Sequence, residues 1–238
     1  MNVPAAHGST PGAVNTLEEL CERKRAIEAA YAATPGHTKR LRNLRTWQAL
    51  RLAQTYDDLR REPRYSAAVE FFLNDLYGPQ DLSRRDKDLL RACRYFARAL
   101  PGAALKILEL ALALDVLSGE LDHAMAQQLG RDGLTAAAYA AAYRRVGRRR
   151  DRKHQIDLLI DIGEHLERMV RERWIYLTLR AARLPARVAG LGALQGFLER
   201  GFAAFRQMSG AQGLLDAIRE REMRLMHTLL VSRRPVIE

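Results

Sequence analysis

The 238-residue chain has only two cysteines, Cys21 and Cys93, far apart in sequence. That is too few for the disulfide framework of a small secreted domain. It is also too dispersed for a Cys-type zinc site, which needs clustered ligands. Both read as small buried hydrophobes in a reducing compartment. Glycine (16) and proline (8) are too sparse for a collagen-like or low-complexity chain. No long apolar run exists. The most apolar stretch, Ala103 to Leu117, carries Lys106, Glu109 and Asp115, whereas a membrane span needs about 20 residues with few or no charges. The first residues, Met1 to Val14, lack the basic-then-apolar order of a secretory signal. A soluble cytoplasmic protein is expected.

Hydrophobic residues make up 47%, enough to fill a core. The net charge is +11, and arginine dominates it: among 39 basic residues only Lys24, Lys39, Lys87, Lys106 and Lys153 are lysines. Ala, Leu and Gly are abundant alongside, so the arginine excess reads mainly as a codon habit. Its distribution is uneven. Residues 63–130 hold 8 basic and 9 acidic groups, a net of −1. Arg144, Arg145, Arg148, Arg149, Arg150, Arg152 and Lys153, against Asp151, put +6 into ten residues. Such a run could bind phosphates of nucleic acid or anionic lipid. It reads more simply as a solvated helix junction, since cations pointing all round a helix belong on the surface. No helix-turn-helix, zinc-finger or aromatic stacking pattern accompanies it.

Strict alternation is missing, and the composition favours helix. Residues 1–15 read as a disordered tail, 16–230 as one helical domain and 231–238 as a frayed end. Thr16 with Glu19 forms a capping box that opens a first helix to about Ala33. Further helices are expected over Thr38–Arg61, Tyr65–Leu76, Ser83–Leu100, Pro101–Leu129, Leu134–Val146, Asp151–Val170, Trp174–Arg183, Pro185–Met208 and Ala211–Leu230. The helix from Pro101 is apolar nearly all round in its first half, which marks it as central. The expectation is an all-α fold, a single compact domain of nine or ten helices.

Several constellations could carry chemistry. Glu120 and His123 form one Glu-x-x-His, the unit of di-iron bundles, but no second copy exists; a surface or capping histidine is the simpler reading. Asp157, Asp161 and His165 recur at helical spacing and could hold a cation; a solvated face with acids paired to arginines explains them better. His227 is a lone histidine, and His7, His37 and His154 show no partner pattern. Gly190, Gly192 and Gly196 lack the spacing and the strand of a dinucleotide loop; Gly192 and Gly196 suit close helix packing instead. Leu194, Phe197, Leu198, Phe202, Phe205 and Met208 read as a core stripe. The turn Tyr77, Gly78, Pro79, Gln80, Asp81 is the most distinctive loop and a candidate recognition surface. No Walker loop, nucleophile elbow, zinc-protease motif or kinase set is present, and no cofactor or metal is expected.

The block from Phe71 to Asp86, Phe-Phe-Leu-Asn-Asp-Leu-Tyr-Gly-Pro-Gln-Asp-Leu-Ser-Arg-Arg-Asp, resembles a family of uncharacterised proteobacterial proteins. The segments Leu112–Asp122 and Phe197–Met208 fit the same resemblance. It implies a cytoplasmic helical domain of unknown function and brings no catalytic residues. Together the residues point to a non-enzymatic binding or interaction protein, with a protein partner or self-association expected. The alternatives are a sequence-independent nucleic-acid or anion binder using residues 144–153, and a cofactor- or metal-binding bundle enzyme.

Overall fold

The computed structural model describes residues 11–32, 34–76, 102–130, 134–181, 183–188, 190 and 192–231. Among them every regular element is helical. The helices are α1 (Pro11–Ala32), α2 (His37–Thr55), α3 (Asp57–Arg61), α4 (Ser66–Phe71), α5 (Gly102–Gln128), α6 (Ala136–Val146), α7 (Arg149–Val170), α8 (Arg173–Ala181), α9 (Arg183–Val188), α10 (Gly192–Gln207) and α11 (Gln212–Val231). A π-helical turn, Phe72–Leu76, follows α4. The Tyr77–Asp81 turn, the Ser83 helix and Cys93 lie outside the described residues.

Two helices organise the packing. α5 lies against α1, α2, α6 and α7, and α7 also meets α8, α10 and α11. The centrality of the apolar helix near Pro101 therefore holds, and it runs through Ser118 and Gly119 unbroken. The main core joins Leu44, Leu52 and Tyr56 of the α2 region to Leu110 and Met125 of α5, Ile156 and Ile160 of α7, and Leu215 and Leu229 of α11. A smaller, separate cluster under α1 holds Leu17, Cys21, Leu105, Leu112 and Val116.

Local chemistry moves several expected boundaries. α1 starts at Pro11, not at Thr16, and takes in residues 11–15 of the expected tail; proline suits a first helical turn. The expected helix 38–61 is broken at Tyr56, whose side chain is fully buried. The Thr55 carbonyl, released there from the helical ladder, accepts from Arg221 Nη1 at 2.6 Å, and the same guanidinium grips both Asp58 oxygens at 2.7 and 2.6 Å. The expected helix 185–208 is broken at Gly190, which has φ +74°. Gly192 and Gly196 show no close helix packing among the described residues: there, a Cβ at either would meet only an arginine side chain, Arg187 or Arg200. The close approaches fall at Gly163, where a Cβ would lie 2.3 Å from Leu215, and at Gly201, 2.7 Å from Phe71. Of the stripe expected on α10, Phe202 and Met208 are buried and Leu198 is exposed.

Candidate functional sites

The basic junction is built by a sharp reversal between α6 and α7. Gly147 (φ +61°) and Arg148 (φ +51°) are both left-handed, which a residue with a Cβ adopts only at a cost. Arg148 is held there by two carboxylates, donating from Nε to Asp151 at 2.6 Å and from Nη2 to Glu120 at 3.2 Å. Lys153 pairs with Asp157 at 2.6 Å. Arg145, Arg149 and Arg150 are exposed. Arg152 departs from the all-surface expectation: it is 6% exposed. Its Nε donates to the Gly147 carbonyl at 3.0 Å, and its guanidinium lies 3.5 Å from the Tyr143 ring centre. Helical spacing explains the turn inward, because Arg152 precedes Ile156, Leu159 and Gly163 on the buried stripe of α7.

Arg152 opens onto a polar cavity of about 80 Å³ between α2, α5, α6, α7 and α11. Its polar wall includes Gln48, Arg51, Asp122, Tyr139, Tyr143, Arg152, Gln155 and Glu222. Arg51, 9% exposed, donates to Glu222 at 2.6 Å, and the Tyr56 hydroxyl reaches the same carboxylate oxygen at 2.9 Å. Burial opposes the Arg51 charge, but Glu222 more than offsets this and its pKa is raised. Asp122 accepts from Gln48 and from Arg45, each at 3.1 Å. Burial also pushes both phenols, Tyr139 and Tyr143, upward, which keeps them neutral. Arg51 follows Leu44 on α2, and Glu222 stands between Ile218 and Met226 on α11. Three charges thus occupy apolar positions of their helices, a signal that the sequence carries but that charge counting hides.

A second polar pair lies under α1. His37 Nε2 and His123 Nδ1 are 2.6 Å apart and buried, and the Tyr31 ring stacks on both imidazoles. The expected surface or capping role for His123 is thereby corrected, and His37 acquires a partner 86 residues away. Burial lowers both pKa values, that of His123 to about 4, with His37 and Arg45 adding to the effect. Glu120 is held by Arg23 at 2.7 Å and by Arg148, so the Glu-x-x-His pair does not converge on a ligand. Asp157 is paired with Lys153, and the Asp161 carbonyl is 2.8 Å from His165 Nδ1. His154 and His227 are exposed. Among the described residues no group of three or more His, Cys, Asp or Glu side chains is placed to hold a metal ion. Among them, too, no helix is long and apolar enough to cross a membrane.

The edge formed by α8 and α9 is the reverse of the cavity. Trp174 (49% exposed) and Leu177 (64%) stand one turn apart on α8, and Leu184 (71%) and Val188 (83%) one turn apart on α9. Residues 173–188 contain Arg173, Arg180, Arg183 and Arg187 and no acid, a net of +4. The edge is anchored from beneath. Tyr176 stacks on Phe202, Gln195 donates to the Leu179 carbonyl at 2.6 Å, and Arg183 forks onto Glu199 at 2.6 and 2.7 Å.

The protein is thus an all-α, single-domain helical assembly. Residues 28–235 match a family described as Domain of unknown function (DUF8198), and the chain belongs to that family. No curated protein and no solved structure matches it.

Proposed function

We propose that the protein is a non-enzymatic binding module whose α8–α9 edge docks the apolar, acidic face of a partner protein helix. The observation behind this reading is the exposure of Trp174, Leu177, Leu184 and Val188 on two consecutive helices that carry only positive charge. Large apolar side chains exposed together mark contact surfaces, and burying a Leu or Val side chain contributes about 1.5–3 kcal/mol. An amphipathic partner helix with glutamates flanking its apolar face complements both features. A second copy of the chain would set arginine against arginine. Glu172 and Glu199 border the edge and disfavour an anionic bilayer, which offers one sign of charge only. The basic junction supports a polyanion partner less well, because Arg148 and Lys153 are tied to carboxylates and Arg152 points inward.

The test uses Trp174 as reporter in a Trp47→Phe background, since the chain has two tryptophans. Titration with an 18-residue Leu/Glu amphipathic peptide should shift Trp174 emission to the blue and saturate. The shift should vanish in Leu184→Ser/Val188→Ser and shrink in Arg187→Glu. A shift with phosphatidylglycerol vesicles but not with the peptide overturns the reading. So does self-association at tens of micromolar without peptide.

A further inference from the structure

We infer that the cavity between α2, α5, α6, α7 and α11 is a binding site for a small monocarboxylate with a short apolar body. This goes beyond the docking edge and does not depend on it.

The first ground is charge. Five charged groups matter at the cavity, four on its wall and Arg45 outside it. Arg51 is compensated by Glu222, and Asp122 by Arg45, which reaches it from outside the wall. Arg152 remains. It is nine-tenths buried, and its contacts among the described residues are the Gly147 carbonyl and the ring and hydroxyl of Tyr143, none of them an anion. A buried charge without a counterion is costly. Adding up, Arg45, Arg51 and Arg152 against Asp122 and Glu222 leave one positive charge, which a monoanion balances.

The second ground is unmade hydrogen bonds. Arg51 Nε and Arg152 Nη2 are both buried and have no hydrogen-bond partner among the described residues, although buried donors are nearly always paired. Both side chains belong to the wall of the same cavity. A carboxylate has acceptor sites for both, and guanidinium groups bind carboxylates through paired, charge-assisted hydrogen bonds. Both donors are buried in the wall, so a ligand in the cavity reaches them only when the two guanidinium groups turn toward it.

The third ground is size and wall chemistry. The free volume is about 80 Å³, and a water takes about 30 Å³ in the liquid, so roughly two to three waters, or a ligand of a few heavy atoms, fit. The wall also carries apolar side chains, among them Leu121, Ile156, Leu159, Leu225 and Met226. A ligand with a charged head and a short hydrocarbon tail satisfies both kinds of group. Bare inorganic anions leave the apolar groups wet, and long acyl chains do not fit.

The probe is sodium butyrate, titrated calorimetrically into the full chain at fixed ionic strength with sodium chloride as reference. Saturable one-to-one binding is expected, tighter than for formate or inorganic phosphate, with decanoate excluded from the cavity. Arg152→Gln should weaken butyrate at least tenfold, as loss of a charge-assisted hydrogen bond does. Arg149→Gln, three residues away on the outer surface, should leave it unchanged. Leu184→Ser/Val188→Ser should also leave it unchanged, which separates this site from the docking edge. Should Arg152→Gln fail to fold, nuclear Overhauser contacts from the butyrate methyl to the Leu225 and Met226 methyl groups of the unaltered protein decide the matter. Butyrate binding no better than chloride, binding of phosphate alone, undiminished binding by folded Arg152→Gln, or absence of those methyl contacts each overturns the proposal.

Discussion

The cavity and the α8–α9 edge invert the usual partition of side chains in opposite directions. In the cavity, Arg51, Arg152 and Glu222 sit at positions that helical spacing assigns to the core. At the edge, Trp174, Leu177, Leu184 and Val188 sit in water. An exposed Leu alone means little, but a buried charge or a gathered apolar surface is informative. The two regions also differ in cost. Charges in the cavity are held by specific partners whose loss strands the survivor. The apolar side chains at the edge touch little that the fold needs. Mutations should therefore damage stability in the first region and spare it in the second.

The most severe test of that contrast is Glu222→Ala. It strands the buried Arg51 guanidinium and removes the carboxylate oxygen that the Tyr56 hydroxyl reaches, and breaking a buried ion pair from one side costs about 3–5 kcal/mol. Chemical denaturation should show the midpoint falling with little change in slope. Gly163→Ala comes next. Its methyl would collide with Leu215, itself buried in the main core, and overpacking of this kind costs about 1–3 kcal/mol. Thermal unfolding reads it out.

Acidification gives a smaller and selective effect. His37 and His123 titrate lower in the folded chain than the ordinary value of 6.5, His123 near 4. Between about pH 6.5 and 4 the unfolded chain binds protons that the folded chain refuses. Stability from this pair is therefore complete above 6.5 and declines as the pH falls through that window. His123→Gln should flatten this part of the profile of melting temperature against pH. At the edge, Leu184→Ser with Val188→Ser should move stability by no more than about 0.5 kcal/mol while abolishing peptide docking. A loss of several kcal/mol there would erase the contrast, since the edge would then be part of the core.

Much of the fold was legible because helices announce themselves by spacing and punctuation. The helix expected over Leu134–Val146 forms as α6, to which the structure adds the cap, Thr135 accepting from the Ala138 amide at 3.2 Å, and the apolar run after Pro101 is central. The breaks at Tyr56 and Gly190 were not legible. The first depends on a guanidinium 166 residues away. The second depends on one glycine taking a left-handed conformation in a segment otherwise suited to helix. The sites were legible only in part. Residues 144–153 stood out by charge, yet their inward member, Arg152, is found by extending the stripe of Ile156, Leu159 and Gly163 backwards. The His37–His123 contact joins the start of α2 to the end of α5 and leaves no local signature, so spacing rules cannot reach it. Arg51 and Glu222 were not singled out in the sequence, because their partnership spans 171 residues.

One consequence concerns α1. It covers its own small apolar cluster, apart from the main core. Its polar ties to α5 include Lys24 to Asp115 at 2.5 Å and Arg23 to Glu120 at 2.7 Å. Units of this kind open on their own, below the free energy of global unfolding. Amide protons of α1 should then exchange with deuterium ahead of those in α5 and α7. Each such opening would lift Tyr31 from the two imidazoles and give them a brief interval of contact with the solvent.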